Sequence, residues 1–228
     1  RHSSSAASDV YKRQPLLRCG FGFIEVGAIT PKPQPGNPKP RLFRLPEDQA
    51  VINRFGFNNL GMEMASARLA RRSAKGIVGI NLGANKNSED RIKDYVKVLK
   101  CCGPFVDFAT INVSSPNTEN LRDLQEKNSL KILLGQVMEC RDHLKNKVPI
   151  FLKIAPDLSL NQIDDFCSIS GVEAFSFTNK FDTKKIIEKY LIKPGFRILS
   201  TGQRLLKQKT LELEIIDYEL KFKYFQYT

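Results

Sequence analysis

The hydrophobic residues of this chain occur in short runs, and each run stops at small or polar residues. The clearest run, 106–113, is rich in β-branched residues and ends at Ser114, Ser115, Pro116 and Asn117. Its length and composition predict a buried β-strand. Further runs of the same kind, at 21–28, 77–82, 149–154 and 172–178, predict four more strands.

Segments with helical periodicity separate most of these runs, at 88–101, 129–144 and 160–170. Their apolar residues recur at three- and four-residue spacing, which is typical of helices with one buried face. Alternating strands and helices indicate parallel βα units. The predicted fold class is therefore α/β, a (β/α)8 TIM barrel, whose functional groups gather where the strands end.

The residues at two of these strand ends are suited to binding a small, flat, polar molecule. Asn112, Ser115 and Asn117 combine amide groups, which donate and accept hydrogen bonds, with a hydroxyl that can move a proton. Lys153 lies within an apolar run, where a lysine is costly without an anionic partner. The alternative for the first group is a simple polar turn that ends the strand.

The net charge of +12 raises the possibility of nucleic-acid binding. Residues 1–14 carry three basic and one acidic residue, and residues 180–228 carry eleven basic and six acidic residues. Much of the excess therefore lies at the two ends, and no nucleic-acid-binding motif accompanies it. We expect no nucleic-acid partner, but a solvated basic surface that favours anionic lipid and an anionic substrate.

The cysteines show no spacing typical of a metal site, and no metal is expected. Their odd number favours reduced thiols that act as small buried hydrophobes. They are Cys19, Cys101, Cys102, Cys140 and Cys167. The chain has no apolar run long enough to predict a membrane-spanning helix.

Several segments together resemble dihydroorotate dehydrogenase, specifically its membrane-associated, quinone-reducing class. The resemblance is nearly continuous from about residue 20 to residue 179, and a serine rather than a cysteine at Ser115 favours the quinone-linked class over the soluble class. The segments that carry it are 20–27, 30–38, 40–45, 52–58, 81–83, 112–118, 152–157 and 178–179.

The resemblance implies an enzyme that oxidises dihydroorotate to orotate with FMN, in de novo pyrimidine (UMP) biosynthesis. Ser115 would be the catalytic base and membrane quinone the electron acceptor, with peripheral attachment to a bacterial or mitochondrial inner membrane. The implied substrate-binding residues are Asn53, Arg54, Phe55, Gly56, Phe57, Asn112, Asn117 and Asn179. The implied FMN-binding residues are Gly27, Ala28, Asn81, Asn112, Lys153 and Thr178.

Two positions need comment, because they bear on these assignments. Ala28 stands where the family often has a hydroxyl residue, which removes one hydrogen bond to the flavin but keeps the backbone contact. Arg44 matches an arginine near the quinone channel of the family.

The resemblance also predicts how the chain is divided. We expect residues 1–14 to be a vector-like leader, residues 15–192 a partial FMN-binding barrel with about five of eight strands, and residues 193–228 a degenerate or frame-damaged tail. The chain would then be a fragment whose own activity is open. Two alternatives remain, an inactive remnant of the enzyme or another flavin-binding barrel oxidoreductase.

Overall fold

Our computed structural model describes residues 17, 22–48, 50–72, 76–118, 121–155, 158–168, 174–177 and 198–200. The strands are β1 (Phe23–Ile29), β2 (Leu42–Leu45), β3 (Ala50–Asn53), β4 (Ile77–Leu82), β5 (Phe108–Asn112), β6 (Ile150–Ile154), β7 (Ala174–Phe177) and β8 (Ile198–Ser200). The helices are α1 (Gly61–Ala70), α2 (Arg91–Cys102), α3 (Lys127–Asp142) and α4 (Leu160–Ser168). Two short 3-10 helices lie at Gly103–Phe105 and Arg122–Gln125.

The main sheet has six strands in the order β1-β4-β5-β6-β7-β8. All five pairs of neighbours are parallel, and each crossover between β4, β5, β6 and β7 contains one of the helices α2, α3 and α4. The five predicted strands and their parallel pairing are confirmed. The structure adds β8, which is three residues long and too short to give a hydrophobic pattern. Within the described residues the sheet is open at β1 and β8.

Two strands and one α-helix outside these predicted elements were not predicted. Strands β2 and β3 form an antiparallel hairpin that is separate from the main sheet. Each has four residues, and every residue of β3 is exposed, so neither shows the alternation of a half-buried strand. Helix α1 follows the hairpin and buries Ala65 and Leu69.

The predicted helices differ from the observed ones by a few residues at their ends. Helix α2 begins at Arg91 instead of residue 88 because the side chain of Asp90 accepts a hydrogen bond from the backbone N–H of Lys93, at 3.0 Å. None of the helices in the described part of the chain is both long and apolar enough to cross a bilayer.

The outer face of the sheet packs against the helices and forms the larger core. Strands β1, β4, β5 and β6 contribute Val26, Ile80, Ile111 and Leu152 to it, each with no exposed surface. On the helical side it includes Tyr95, Val98, Leu99, Leu130, Leu133 and Val137. Because side chains alternate along a strand, the residues between these point to the opposite, inner face.

The inner face begins with an apolar layer at the N-terminal ends of the strands. Phe108 and Phe151 are buried there and pack with Phe23 and Ile77. The rings of Phe23 and Phe108 meet edge to face at 5.8 Å between centroids, and those of Phe108 and Phe151 lie 5.0 Å apart. This apolar layer closes one end of the inner face.

An ion pair also lies at the N-terminal ends of β4 and β5. The guanidinium of Arg72 contacts both carboxylate oxygens of Asp107, at 2.7 and 2.8 Å, and the backbone N–H of Val78 donates to the same carboxylate at 2.8 Å. Burial alone would raise the pKa of Asp107, but the hydrogen bonds from Arg72 and Val78 outweigh it, and the pKa lies below its ordinary value.

The predicted leader and most of the predicted tail lie outside the described residues. The division of the chain into leader, barrel and tail therefore stays a prediction.

Candidate functional site

A polar layer follows the apolar one toward the C-terminal ends of the strands. Two residues after Phe23 comes Glu25, and two residues after Phe151 comes Lys153. Period-two alternation places each on the same inner face as its phenylalanine. The inner residues of this layer are Glu25, Asn81, Thr110, Asn112 and Lys153.

Hydrogen bonds that all run in one direction connect three residues of this layer, Glu25, Asn81 and Asn112, with Ser114 after β5. Asn81 Nδ2 donates to Glu25 Oε1 at 2.6 Å, and Asn112 Nδ2 donates to Asn81 Oδ1 at 3.1 Å. Asn112 Oδ1 then accepts from the backbone N–H and the hydroxyl of Ser114, at 3.2 and 2.9 Å. Three of these residues, Asn81, Asn112 and Ser114, are buried. Each amide nitrogen has a second N–H that no described residue accepts.

Lys153 lies beside Asn112 across the β5–β6 pair and is half-buried. No acidic side chain in the described part of the chain forms an ion pair with it. Lys153 thus lies next to the Asn112 amide on the inner face.

The end of β1 lies unusually close to β4. Gly27 has a φ of +128°, and a Cβ at this position would meet the backbone oxygen of Asn81 at 2.6 Å. Only glycine fits this conformation and this approach. Ala28 follows and is buried, with its Cβ facing Gly83. Gly27 therefore borders Asn81 at the strand ends, and Ala28 borders Gly83.

Ser115 and Asn117 lie on the loop after β5. The hydroxyl oxygen of Ser115 accepts a hydrogen bond from the backbone N–H of Asn117 at 3.3 Å. Asn117 is tied to other segments: its side chain donates to the backbone oxygen of Asn53 at 3.4 Å, and its own backbone oxygen accepts from Asn37 at 3.1 Å. The loop with Ser115 is thereby held next to the loop that follows β3.

The segment after Asn53 contains four more predicted substrate residues, and its side chains have contacts of their own. Arg54 donates to the backbone oxygen of Pro40 at 2.9 Å, and its guanidinium lies 5.9 Å from the ring centroid of Phe43. Phe55 lies under the guanidinium of Arg41, at 5.6 Å. The side chains of Arg54 and Phe55 therefore contact β2 and the segment just before it. Asn53 contacts Asn117 instead.

Gly56 and Phe57 form the tight part of this segment. Both have positive φ, +69° and +55°, and a Cβ on Gly56 would meet the side chain of Asn37 at 2.8 Å. Gln34 Nε2 donates to the backbone oxygens of both residues, at 3.0 and 3.1 Å. The backbone of Gly56 and Phe57 is therefore held in place by Gln34.

A group of supporting amides was missed by sequence reasoning. Asn59 bridges Thr30 and Phe57: its Nδ2 donates to Thr30 Oγ1 at 2.8 Å and to the backbone oxygen of Phe57 at 2.7 Å. Asn85 Nδ2 donates to Thr30 Oγ1 at 3.1 Å and to Gln34 Oε1 at 2.9 Å. Apart from Phe57, their partners are 29 to 55 positions away, so no local pattern identifies them.

Glu25 was missed as well, although the sequence holds a signal for it. It is an acidic residue within an apolar run, where a charged side chain is as costly as at Lys153. Thr178 and Asn179, both predicted site residues, lie outside the described residues.

Burial makes two other ionisable groups inert, of which Tyr95 contacts the polar layer. Burial raises the pKa of Tyr95 far above its ordinary value, so its hydroxyl stays protonated and donates to the backbone oxygen of Asn112 at 2.7 Å. Burial likewise raises the pKa of the Cys102 thiol. Cys101, Cys102 and Cys140 are free thiols, as predicted, whereas Cys19 and the side chain of Cys167 lie outside the described part of the structure.

The described residues contain no group of His, Cys, Asp and Glu side chains that could hold a metal ion. The chemistry available here is that of oriented amides, one hydroxyl on a fixed loop, one carboxylate and one cation.

Several known proteins are similar in sequence to this chain. A family model described as Dihydroorotate dehydrogenase matches residues 5–195. The dihydroorotate dehydrogenase (quinone) of Cereibacter sphaeroides is 58% identical over 168 residues, covering 72% of this chain and 48% of that protein. The protein of the same name from Rhizobium etli is 55% identical over 157 residues, covering 67% of this chain and 43% of that protein. The chain spans about half the length of the curated relatives it matches.

Solved structures share the fold. The dihydroorotate dehydrogenase of Eimeria tenella in complex with ferulenol has a TM-score of 0.66 at 36% identity, covering 72% of this chain and 52% of that one. The ligand-free form from the same organism has a TM-score of 0.63 at 35% identity, covering 68% of this chain and 50% of that one. The predicted barrel class is confirmed, with the described strands forming an open part of it. Since the family model spans most of the sequence, the chain belongs to the dihydroorotate dehydrogenase family.

Proposed function

We propose that this chain supplies the substrate side of a quinone-dependent dihydroorotate dehydrogenase, which oxidises dihydroorotate to orotate with FMN. The observation that carries the proposal is the joining of two features at the C-terminal ends of the strands. One is the inner polar layer with Asn81, Asn112 and Lys153. The other is the adjacent loop with Ser115 and Asn117.

The donor set of the polar layer fits a flavin. The amides of Asn81 and Asn112 are already oriented, and each keeps a free N–H within the described structure. Lys153 would stabilise negative charge on the pyrimidine edge of the ring. Gly27 and Ala28 would let the backbone approach the ring closely, and Thr178 is proposed as a further hydrogen-bond donor. FMN, when bound, supplies the acceptor for the hydride that leaves the substrate.

Ser115 is proposed to take the proton from the substrate carbon. Among the described residues, its oxygen accepts the long hydrogen bond from the Asn117 N–H and no acceptor takes its own proton, which leaves that proton available for transfer. A serine hydroxyl is a poor base by itself, so the proton must pass on to water or to another hydroxyl. The loop's ties to Asn53 and Asn37 hold Ser115 in one position, which limits the reorganisation needed for proton transfer.

Amides from three segments are proposed to bind the substrate. Asn53 is the last residue of β3 and contacts Asn117 on the loop after β5, and Asn112 is the last residue of β5 within the polar layer. Asn179 would complete the set. An amide presents both a donor and an acceptor, which suits the ring amides and the carboxylate of dihydroorotate.

The acceptor quinone is proposed to bind at the hairpin. Arg44 pairs with Val51 across β2 and β3, and both side chains are exposed. This pair suits a quinone, because the apolar side chain can contact its apolar part and the arginine can donate to its carbonyl oxygens. Peripheral association with a membrane would follow, since quinone is dissolved in the bilayer.

Two measurements on purified protein test the function. We expect protein supplied with FMN to keep a flavin absorbance, and dihydroorotate to bleach it and quinone to restore it. A Lys153→Met variant should bind FMN more weakly, whereas Lys145→Met, on the exposed segment after α3, should not. Flavin that dihydroorotate does not reduce would point to another flavin-dependent barrel enzyme. Protein without bound flavin would point to a remnant without activity.

A further inference from the structure

One carboxylate in the polar layer has no part in the chemistry proposed so far. Glu25 is half-buried on β1, directly above the apolar layer formed by Phe23 and its neighbours. Its two oxygens have different partners, Asn81 Nδ2 on β4 and the hydroxyl of Thr110 on β5. We propose that Glu25 is a positioning residue that fixes the orientation of the Asn81 amide. This rests on the proposed function, in which that amide binds the flavin.

The direction of the hydrogen bonds follows from what each group can do. An ionised carboxylate only accepts hydrogen bonds, so Asn81 must turn its nitrogen toward Glu25. The Asn81 oxygen then faces Asn112, where it accepts from Nδ2 at 3.1 Å. At the other end, the backbone N–H of Ser114 can only donate, so the Asn112 oxygen must face it. Glu25 and Ser114, at opposite ends of this row of hydrogen bonds, therefore require the same direction of donation. Both amides are fixed in one orientation.

The surroundings of Glu25 allow it to reach two strands. Gly79 is its partner across the β1–β4 pair, and it has no side chain to block the path toward β5. The ring of Phe108 fills the space beside Gly79 on the side of the apolar layer. A Cβ added at Gly79 would meet this ring at 2.1 Å. Aromatic rings beneath the carboxylate keep water away on that side, which strengthens its hydrogen bonds.

The positioning role of Glu25 predicts an effect on the affinity for FMN itself, independent of the reaction. If Glu25 loses its acceptor, the Asn81 amide is held from one side only, by the hydrogen bond from Asn112, and it can turn away from the orientation that faces the ring. A ligand that needs one end then binds more weakly, because only part of the population is competent. The change in FMN affinity should depend on whether residue 25 has an acceptor atom and on the length of its side chain. It should require the Asn81 side chain.

The test measures the dissociation constant of FMN by quenching of its fluorescence, with folding followed by circular dichroism. Glu25→Leu keeps the volume but removes the acceptor, and we expect affinity to fall about tenfold or more, the effect of one hydrogen bond to a charged group. Glu25→Asp keeps the charge but shortens the reach, and should also lose affinity. Glu25→Gln keeps both length and an acceptor oxygen, and should stay within about threefold of wild type.

A matched control and a double-mutant cycle separate positioning from a loss of structure. Asp107→Leu removes a hydrogen-bonded carboxylate at the other end of the same sheet, and should lower stability without changing FMN affinity. Adding Glu25→Leu to Asn81→Ala should cause no further loss, because both changes remove the same interaction.

Each outcome bears on one proposal. Additive effects of Glu25→Leu and Asn81→Ala would overturn the positioning role, as would a Glu25→Gln variant that loses as much affinity as Glu25→Leu. Should Glu25→Leu not fold, an unchanged affinity in Glu25→Asp would overturn it instead. A wild-type protein that binds no FMN would contradict the proposed function itself.

Discussion

The two ends of the parallel strands are stabilised by different interactions. The N-terminal ends are stabilised by apolar packing among Phe23, Ile77, Phe108 and Phe151. At the C-terminal ends, the inner face is held by hydrogen bonds with a fixed direction, from Glu25 through Asn81 and Asn112 to Ser114. Apolar packing tolerates no void, whereas oriented amides retain donors for a ligand. Changes at the first end should therefore cost stability, and changes at the second should cost function.

The largest effect is expected where a ring is removed from the apolar layer. Phe108→Ala should lower the free energy of unfolding by about 3–5 kcal/mol, because it leaves a cavity and loses two ring contacts. Urea unfolding measures it. Phe43→Ala, on the exposed hairpin, is the control and should cost much less. A loss for Phe108→Ala no greater than that control would show that the layer does not hold this end together.

The opposite end is tested by Ser115→Ala. Reduction of the flavin by dihydroorotate should slow by about two orders of magnitude or more, the effect of removing a positioned base. Flavin content and the free energy of unfolding should stay near those of the wild type. Stopped-flow absorbance gives the rate, with Ser129→Ala on α3 as the control. Equal rates for Ser115→Ala and wild type would rule out Ser115 as the base.

A pair of glycine substitutions compares a packed position with an open one. Gly79→Ala should destabilise the protein by about 1–3 kcal/mol, because its Cβ would meet the Phe108 ring at 2.1 Å. Gly135→Ala on α3 has nothing within 4 Å of the new Cβ, and should stabilise by about 0.5–1 kcal/mol. Thermal unfolding of both proteins measures the difference. Similar shifts in the same direction would contradict the tight packing at Gly79.

The smallest effect is expected from the ion pair at the N-terminal ends. Asp107→Asn should cost about 1 kcal/mol at pH 7, since the pair is partly exposed to solvent. The pKa of Asp107 is lowered in the folded protein, so its stabilisation is complete above the ordinary carboxyl pKa and is lost as the pH falls through the folded pKa.

Urea unfolding of wild type and Asp107→Asn at a series of pH values measures this. The difference between the two proteins should be constant near neutral pH and shrink below about pH 4. A difference that grows as the pH falls would contradict the lowered pKa.

Long periodic segments were predicted well, and short or exposed ones were not. Strands β4 and β5 lie within the predicted runs because almost all of their residues are buried, on both faces of the sheet. The hairpin was missed because β2 and β3 pair with each other at the surface and carry no core pattern. Its existence depends on cross-strand pairing, which residue types alone do not specify.

The candidate site divides in the same way. Asn112, Ser115, Asn117 and Lys153 follow or end apolar runs, so their place at the strand ends could be predicted. Which side chains meet there could not. Thr110 and Glu25 are 85 positions apart, and the contact between Asn37 and Asn117 spans 80 positions.

Local sequence patterns are sufficient to predict the parallel βα order and, through period-two alternation, which residues share the inner face with Phe108. The contact of Glu25 with Thr110 across Gly79, and its contact with Asn81, follow from the three-dimensional arrangement of the strands. The two differ in range, because alternation is a property of neighbouring residues along one strand. A hydrogen bond between strands depends on their register and on the space left by a third residue, and neither is encoded in any local pattern.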